Sequence, residues 1–530
     1  MTKLAVSMMV RSLAETLAQT ALAAERGADL VELRVEQFTH APDELIELLD
    51  QCPLPCILTC RPTWEGGHYE GDEATRAAFL QHVLLGERGE GDGVTRPPVY
   101  IDVELLAYQR SPEMRDLIAR IVDHPAQEHP ARVGLILSSH DFEQRPADLL
   151  QRVEAMLEAP ECRVMKIVWQ ARSLRNNLEA FEVLRASYKP TIALCMGEFG
   201  LASRVLAKKF GALLTFAGLD DDTGTAPGQV GVATMKQLYR WDAIDRDTQV
   251  FGVIGWPVAH SKSPQIHNAG FDAVGHNGVY LPLPIPPEWE HFKATVGEWV
   301  ADENLDFQGA SVTIPHKAHL LQFVREQGGE IDELADRIGA ANTLARRPNG
   351  SLFATNTDYG AALDAVCDAM QIEREDLAGK RVAVIGAGGV ARAIVAGFAH
   401  YGATVVVYNR TASRAEELAK AFNGKTGKVV AAPMSKLCDT CCEIYINCTP
   451  IGMHPDVDAS PMETLPKQTT SQTVVFDTIY NPTETKLLRQ AKEAGCVTVG
   501  GIEMFNRQAA AQFELWTGKQ APAEVFNVGR

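Results

Sequence analysis

A lysine stands in one of the most apolar stretches of the chain. Lys166 lies between Met165 and Ile167, inside the run Val164–Val168, which is typical of a buried strand. Burying a charged amine is costly, so burial should lower the pKa of this lysine from about 10.4. A neutral amine can attack a carbonyl and form an imine. The same lysine could instead reach from the core to solvent or pair with a glutamate.

A histidine lies just after the preceding apolar run. His140 follows Val133–Leu137, in the stretch Ser138-Ser139-His140-Asp141. Imine chemistry needs a group that carries protons, and histidine titrates near neutral pH. A lone histidine is more often structural. A lysine and a histidine at two neighbouring strand ends together favour Schiff-base catalysis.

Short apolar runs alternate with helical patterns from Met1 to about Arg240. This alternation predicts a (β/α)8 TIM-type barrel, which carries its catalytic residues at the C-terminal ends of the strands. Polar residues such as Asp102 and Glu104 follow the predicted strands in those places. The predicted strands are Leu4–Met8, Asp29–Leu33, Cys56–Cys60, Val99–Val103, Val133–Leu137, Val164–Val168, Thr191–Cys195 and Leu213–Phe216.

This half of the chain resembles type I 3-dehydroquinate dehydratase throughout its length. The matching stretches are Glu32-Leu33-Arg34, Thr59-Cys60-Arg61, Glu65-Gly66-Gly67, Ser138 to Phe142, Lys166, Ser203-Arg204, and Thr225 to Gln229. The resemblance implies that Lys166 forms an imine with the ketone of 3-dehydroquinate. It implies that His140 is the general acid–base and that Glu65 orients it.

The same resemblance implies a set of substrate-binding residues. They would hold the hydroxyls and the carboxylate, and they are Glu32, Arg34, Arg61, Arg204, Thr225 and Gln229. Arg204 is the best carboxylate clamp among them, because its planar fork can bind in a bidentate manner. The family commonly has Ser where this chain has Thr225. Both side chains carry a hydroxyl, so we expect the function to be retained.

A glycine-rich loop in the second half has the pattern of a dinucleotide site. Val382–Ile385 reads as a buried parallel strand, and a helical pattern begins at Arg392. Between them stands G-x-G-x-x-A, whose glycines permit a tight turn and a close backbone approach to a pyrophosphate. Its residues are Gly386, Ala387, Gly388, Gly389, Val390 and Ala391.

The end of the next predicted strand, Thr404–Tyr408, indicates which dinucleotide is bound. NAD sites usually place a carboxylate there, for the ribose 2′-hydroxyl. This chain instead has Asn409-Arg410-Thr411, followed by Arg414. Two guanidiniums and a hydroxyl can bind a 2′-phosphate, so the sequence predicts NADP. A solvated basic turn is the alternative for either arginine alone.

Clusters of hydroxyls, amides and charged groups precede this loop. Ser261 and Ser263 stand at a predicted helix start, where they could simply be N-caps. A strand predicted to end at Thr313 leads to Lys317, and loops carry Asn342 and Asp358. Any one such cluster is ordinary turn chemistry. Several of them ahead of a dinucleotide loop predict a pocket for a polyol.

These motifs resemble shikimate dehydrogenase from about Phe251 onward. Further matches are Asn447 to Pro450, Asp477 to Pro482, and Gly500 to Met504 with Gln508. The family implies that Lys317 and Asp358 are the catalytic pair and that Gly501 belongs to the cofactor site. It implies that shikimate is bound by Ser261, Ser263, Thr313, Asn342, Tyr480 and Gln508.

The complete chain is similar to the bifunctional enzymes that join these two activities. We therefore expect an α/β protein in which a TIM-type barrel precedes a two-lobed shikimate dehydrogenase with a Rossmann NADP domain. The predicted domains are a barrel over 1–242, a shikimate-binding domain over 249–357 completed by 503–530, and an NADP domain over 358–502. Quinate dehydrogenase activity in the second half, or a non-catalytic regulator built from the same domains, is the alternative function.

Composition restricts the partners. The 50 basic and 68 acidic residues give a formal charge of −18, which argues against nucleic acid or an anionic membrane. The partners expected are small molecules: 3-dehydroquinate, 3-dehydroshikimate and shikimate. The 11 scattered cysteines indicate reduced thiols, and no metal site is expected at Cys438, Cys441 and Cys442. A strand pattern that begins in the first residues leaves no room for a signal or transit peptide, so a cytoplasmic location is expected.

Overall fold

The computed structural model describes residues 2–85, 96–122, 133–222, 224–225, 227–424 and 426–527. It divides into two compact units. The first comprises Met1–Gln249, Asn277–Ile285 and Thr295–Asp306, and the second comprises Val250–His276, Pro286–Ala294 and Phe307–Arg530.

The first unit is built on an eight-stranded parallel sheet that closes almost completely into a barrel. The strand order is β7-β6-β5-β4-β3-β2-β1-β8, and at the seam a backbone hydrogen bond of 2.9 Å joins Leu213 N–H to the Thr191 carbonyl. All eight predicted strands are confirmed. The strands are β1 (Lys3–Met9), β2 (Leu30–Arg34), β3 (Cys56–Thr59), β4 (Tyr100–Glu104), β5 (Gly134–Asp141), β6 (Cys162–Gln170), β7 (Thr191–Met196) and β8 (Leu214–Ala217).

Helices follow the barrel strands and cover their outer face. They are α1 (Leu13–Glu25), α2 (Pro42–Gln51), α3 (Glu73–Leu85), α4 (Leu105–Arg110), α5 (Pro112–Ile121), α6 (Leu149–Glu158), α7 (Arg175–Ala186) and α8 (Leu201–Val205). Inside the barrel, Ile57, Ile136, Ile192 and Phe216 belong to one buried hydrophobic cluster. This packed interior fixes the strand ends that carry the polar residues.

Residues 249–355 supply the strands and helices that precede the dinucleotide loop. These elements are β9 (Gln249–Gly255), α9 (Ser263–Ala273), β10 (Gly278–Pro284), α10 (Trp289–Ala301), β11 (Phe307–Val312), α11 (Lys317–Glu326), β12 (Glu330–Ile331), α12 (Glu333–Ile338), β13 (Thr343–Arg346) and β14 (Leu352–Thr355). Within one mixed sheet, β9, β11, β13, β14 and β12 are neighbours in that order. Strand β11 ends at Val312, one residue before the predicted end at Thr313.

The remaining residues form a six-stranded parallel sheet with the order β17-β16-β15-β18-β19-β20. Relabelled from its first strand, this is the 3-2-1-4-5-6 order of a Rossmann domain. Its elements are α13 (Thr357–Met370), β15 (Arg381–Ile385), α14 (Gly389–His400), β16 (Thr404–Tyr408), α15 (Ala412–Phe422), β17 (Lys428–Ala432), β18 (Ile444–Asn447), β19 (Val474–Asp477), α16 (Lys486–Glu493), β20 (Val497–Val499) and α17 (Gly501–Thr517).

The Rossmann strands are buried on both faces, which explains their continuous apolar sequences. Val382 and Val384 belong to one hydrophobic cluster, whereas Ala383 and Ile385 belong to another. Alternate residues of a strand point to opposite sides of the sheet. Helix α14 begins at Gly389, so the predicted start at Arg392 is wrong. Gly388 is the N-cap, and the last residues of the glycine-rich motif form the first helical turn.

Candidate active sites

One pocket of the first unit gathers every barrel residue predicted to be catalytic or substrate-binding. It lies at the C-terminal ends of the strands, as the barrel topology requires. The predicted residues that line it are Glu32, Arg34, Arg61, Glu65, His140, Lys166, Arg204, Thr225 and Gln229. Residues separated by almost 200 positions in the sequence therefore share one cavity.

The amine of Lys166 is buried and paired with two carboxylates. Its Nζ lies 2.8 Å from Asp102 Oδ2 and 3.0 Å from Glu32 Oε1. It also lies 4.5 Å from the centre of the Phe216 ring. The structure thus shows the ion-paired arrangement that the sequence left open. Asp102 is the partner that the site predictions missed, although its place at the end of β4 was visible.

The two carboxylates beside Lys166 are held in the ionised form. Burial alone would raise the pKa of Glu32, but the charges of Lys166 and Arg34 bring that pKa below its usual value. Burial also opposes ionisation of Asp102, yet Arg61 and Lys166 hold its pKa well below the usual range. Lys166 therefore lies between two ionised carboxylates.

His140 is fixed by Glu65 through two contacts. Its backbone N–H donates to Glu65 Oε1 at 2.9 Å, and its Nδ1 lies 2.9 Å from the same oxygen. Burial, together with the charges of Arg61 and Lys166, lowers the pKa of His140 well below its usual value. Burial raises the pKa of Glu65 to about 8, despite the opposing charge of Arg61. The imidazole is therefore neutral near pH 7 and can accept a proton.

Arg204 carries a buried guanidinium without a carboxylate partner among the residues that the structure describes. Only 2% of the residue is exposed, and burial lowers its pKa to about 10. Its NH2 donates to the Pro227 carbonyl at 3.3 Å, while its Nε has no hydrogen-bond partner. An unpaired buried cation that lines a pocket is suited to bind an anion.

The other two arginines that line this pocket have carboxylate partners. Arg61 lies 2.8 Å from both Asp102 Oδ1 and Glu104 Oε1, and Arg34 Nε lies 2.6 Å from Glu36 Oε1.

In the loop after β8, the Thr225 N–H donates to Gln229 Oε1 at 2.8 Å, so the two predicted residues of this loop are in contact. Ala226, in the middle of the matched motif, lies outside the described residues.

A second pocket, within the second unit, gathers the residues predicted to bind shikimate. The predicted residues that line it are Ser261, Ser263, Thr313, Lys317, Asn342, Asp358, Tyr480, Gly501 and Gln508. Ser261 Oγ accepts the Ser263 N–H at 3.2 Å. The N-cap of α9 is Lys262, so the N-cap alternative is wrong for both serines, and both of them line the pocket.

Lys317 and Asp358 form a close pair in this pocket. Lys317 Nζ lies 2.5 Å from Asp358 Oδ2, and Asn342 Nδ2 donates to Asp358 Oδ1 at 2.9 Å. Lys317 is the first residue of α11, and Asp358 lies in the first turn of α13. Two helix starts thus bring an ammonium and a carboxylate together beside the predicted polyol site.

Gln512, on α17, is a pocket residue that the sequence predictions missed. Its Nε2 donates to the Asn342 carbonyl at 3.1 Å and to Thr343 Oγ1 at 2.9 Å. Its Oε1 accepts from Ser311 Oγ at 2.7 Å. Gln512 lies one helical turn after Gln508, and that i, i+4 spacing was the signal that could have identified it.

The dinucleotide loop leaves space where a phosphate would approach. Gly386 has φ +113°, a conformation that favours glycine, and a Cβ added at Gly388 or Gly389 would have no heavy atom within 4 Å. Val390 and Gly501 line the second pocket, so the loop borders the polyol site. Arg410 and Arg414 are exposed and form no ion pair with any residue in the described ranges.

Neither a metal cluster nor a membrane span emerges from the described part of the chain. Within it, no three His, Cys, Asp or Glu residues are arranged to hold a metal ion. Cys442 is buried, and Cys438 Sγ donates to the Thr464 carbonyl at 3.2 Å. No helix among the same residues is long and apolar enough to cross a membrane.

Four protein families match successive parts of the chain. Residues 4–246 match the type I 3-dehydroquinase family. Residues 253–344 match the shikimate dehydrogenase substrate-binding domain, and residues 368–501 match the shikimate/quinate 5-dehydrogenase family. Residues 501–527 match the shikimate 5′-dehydrogenase C-terminal domain.

Similar proteins carry both activities or the second one alone. A chloroplastic bifunctional 3-dehydroquinate dehydratase/shikimate dehydrogenase of Arabidopsis thaliana is 37% identical over 534 residues, covering 98% of this chain and 82% of the plant protein. A shikimate dehydrogenase (NADP+) of Methanosarcina acetivorans is 40% identical over 284 residues, 52% of this chain and 96% of its own. The dehydroquinate dehydratase and shikimate dehydrogenase structure from S. pombe is 24% identical, covers 99% of this chain and 97% of its own, and has a TM-score of 0.44.

The plant relative aligns with 98% of this chain, in which the dehydratase family match precedes the dehydrogenase family matches. The chain therefore belongs to the family of bifunctional 3-dehydroquinate dehydratase/shikimate dehydrogenases, which unite a lyase and an NADP-dependent oxidoreductase of the shikimate pathway.

Proposed function

We propose that Lys166 is the nucleophile of the dehydratase. Its amine attacks the ketone of 3-dehydroquinate, and one water leaves as the imine forms. The resulting iminium withdraws electrons from the adjacent C–H bond, which makes that proton removable. The deprotonated amine is the attacking species, so a proton must first leave Nζ. Asp102 and Glu32 lie within 3.0 Å of Nζ and orient the amine, and the proton passes to solvent.

His140 then moves the proton that elimination requires. Its neutral imidazole takes the proton from the carbon next to the iminium, and the electron pair forms the new double bond as the β-hydroxyl leaves. The imidazolium returns its proton to that hydroxyl, so a second water departs. Hydrolysis of the imine consumes one water and frees 3-dehydroshikimate. Glu65, 2.9 Å from Nδ1, holds the ring in orientation.

The substrate carboxylate is assigned to Arg204. The support is its buried guanidinium, which lines the pocket without an ion-pair partner among the described residues. Glu32, Arg34, Arg61, Thr225 and Gln229 line the same pocket and provide donors and acceptors for the hydroxyls. The geometry favours a charged anchor at Arg204 and polar contacts elsewhere.

In the second pocket, Lys317 and Asp358 are proposed to transfer the proton of the carbinol hydroxyl. During reduction Lys317 donates a proton to the carbonyl oxygen of 3-dehydroshikimate, and Asp358 stabilises the ammonium beforehand. During oxidation the pair accepts that proton. Asn342 keeps Asp358 in place through its 2.9 Å hydrogen bond. Ser261, Ser263, Thr313, Tyr480 and Gln508 are proposed to hold the remaining hydroxyls and the carboxylate.

The residues of the Rossmann domain fit NADP. The open space at Gly388 and Gly389 suits a pyrophosphate, and Ala387, Val390 and Ala391 complete that turn. Asn409, Arg410, Thr411 and Arg414 follow β16, where a 2′-phosphate would lie. NADPH supplies the hydride when it is bound. The exposed and unpaired guanidiniums of Arg410 and Arg414 carry this assignment.

The proposed setting is the cytoplasm, with small molecules as the partners. All eleven cysteines are free thiols, which suits a reducing compartment. The formal charge of −18 disfavours nucleic acid as a partner. The domain boundaries proposed above, near residues 242, 358 and 503, agree broadly with the family matches.

The observation that carries the proposal is that Lys166, His140 and Glu65 share one pocket with the unpaired Arg204. A single assay tests it: purified protein, 3-dehydroquinate and NADPH, followed by the absorbance of NADPH, with the product identified by chromatography. Steady oxidation of NADPH with shikimate as the product is expected. No oxidation, followed by oxidation once 3-dehydroshikimate is added, would refute the dehydratase role. No oxidation with either substrate would refute the dehydrogenase role.

A further inference from the structure

A second buried arginine lies behind the dehydratase pocket. Arg76, on α3, is 1% exposed and does not line the cavity. Its NH1 donates to the Cys60 carbonyl at 2.8 Å and lies 2.7 Å from Glu104 Oε2, while its NH2 lies 2.6 Å from Glu73 Oε2. The guanidinium of Arg76 therefore reaches from a helix of the outer layer to Glu104, the last residue of β4.

Glu104 connects this arginine to the active site. Its side chain is completely buried, and its two oxygens serve different arginines: Oε2 faces Arg76, and Oε1 lies 2.8 Å from Arg61 NH1. Arg61 NH2 lies 2.8 Å from Asp102 Oδ1, and Asp102 Oδ2 lies 2.8 Å from Lys166 Nζ. The charges alternate in an unbroken line of ion pairs from α3 to the proposed nucleophile.

We propose that Arg76 is a positioning residue for the dehydratase: it keeps Glu104 ionised and in place, so that Glu104 fixes Arg61, and Arg61 fixes Asp102 against Lys166. The inference rests on the proposed imine chemistry of Lys166. Arg76 touches neither the pocket nor the substrate, and it acts only through this line of charges.

Burial sets the physical basis of this role. A completely buried carboxylate strongly favours its neutral form, and burial does raise the pKa of Glu104 against the opposing charges of Arg61 and Arg76. The negative charge of Asp102 also acts on Glu104 and favours its protonation. Glu65 also lies near enough to interact with Glu104, while Glu73 and Cys60 face Arg76. Arg76 and Arg61 are thus the cations that oppose protonation.

Loss of Arg76 should therefore raise the pKa of Glu104 further and favour its neutral form. A neutral Glu104 holds Arg61 less firmly, and the guanidinium can then shift toward Asp102. Asp102 in turn loses its alignment with Lys166. Misplacing a catalytic group by about 1 Å can reduce a rate by roughly 100-fold.

The test compares Arg76→Gln and Arg76→Lys with the wild type. For Arg76→Gln we expect the dehydratase kcat at pH 7 to fall roughly 10- to 100-fold. The activity should recover as the pH rises, because the Glu104 carboxylate exists only above its pKa. For Arg76→Lys, which keeps the charge but not the fork, we expect a smaller loss and the wild-type pH profile. Borohydride trapping of the imine should slow in parallel with kcat.

Three controls separate a positioning role from a structural one. The dehydrogenase activity of the same chain should be unchanged in every variant. Arg120→Gln removes a half-buried barrel arginine whose NH1 donates to Gln81 at 2.7 Å, and it should leave dehydration unaffected. Adding Glu104→Gln to Arg76→Gln should abolish the new pH dependence, because the titrating carboxylate is gone.

A wild-type pH profile in Arg76→Gln, with a loss that is equal at every pH, would overturn the proposal. If Arg76→Gln does not fold, Arg76→Lys decides alone: an unchanged kcat and trapping rate would refute the positioning role, and a loss of about threefold or more would support it. Wild-type protein that neither dehydrates 3-dehydroquinate nor traps it would instead refute the proposed function, and the variants would then not be interpreted.

Discussion

Arg204→Met should stabilise the barrel while it impairs the dehydratase. Methionine has a length similar to that of arginine and no charge, so it can fill the same buried space. Burial lowers the pKa of Arg204 from the usual range of a guanidinium to about 10. At about 1.4 kcal/mol per pKa unit, keeping this guanidinium charged in the folded protein costs roughly 3 kcal/mol. Removing the charge should recover up to that amount, minus the hydrogen bond to Pro227.

The functional loss should be at least as large. A guanidinium–carboxylate contact in a buried site is worth roughly 2–5 kcal/mol when one partner is truncated. The KM for 3-dehydroquinate should therefore rise roughly 30-fold or more, since 1.4 kcal/mol is a factor of ten. The KM for shikimate in the second activity should not change.

Hydrogen exchange read by mass spectrometry can follow the barrel alone. Peptides that cover Thr191–Met196, the β7 strand, report the stability of the first unit, and steady-state kinetics report the KM. The matched control is Arg76→Met, which removes a buried arginine that has two carboxylate partners. That variant should lose about 3–5 kcal/mol of folding stability, because the buried Glu104 loses one of its two arginine partners. A barrel destabilised equally by both substitutions would refute the reasoning about Arg204.

Three further results are expected. Lys166→Ala should abolish dehydration and borohydride trapping yet leave the NADP-dependent oxidation of shikimate intact; residual dehydration above about 1% of wild type would contradict the imine role. Arg410→Ala should raise the KM for NADP roughly tenfold or more and the KM for shikimate little, which initial-rate kinetics with each substrate varied can check. Asp358→Asn should lower the kcat for shikimate oxidation roughly 100-fold or more with a much smaller change in the NADP KM, and an unchanged kcat would exclude the proposed proton transfer.

The sequence predicted the barrel strands well because parallel strands buried on both faces are continuous apolar runs. It located Lys166 and His140 because their polar side chains interrupt or follow such runs. It did not reveal that Asp102 pairs with Lys166, because several carboxylates follow strands and their distances depend on the tilt of the barrel. No feature of the sequence indicated that Arg76 is buried and ion-paired, since an arginine on an outer helix is usually solvated. The predicted start of α14 was too late, because the helix begins at Gly389 despite the poor helix propensity of glycine.

The C-terminal helix α17 has a consequence for the nascent chain. The dehydratase pocket has all its lining residues once Gln229 has been made, whereas the dehydrogenase pocket also needs Gln508 and Gln512 of α17. At about 5–20 residues per second, ribosomes need roughly 15–55 s to cover that interval. Each new molecule therefore passes through a period in which its dehydratase pocket can form while its dehydrogenase pocket still lacks the residues that α17 contributes. A cell that makes this protein rapidly should transiently hold ribosome-bound chains able to produce 3-dehydroshikimate but not to reduce it.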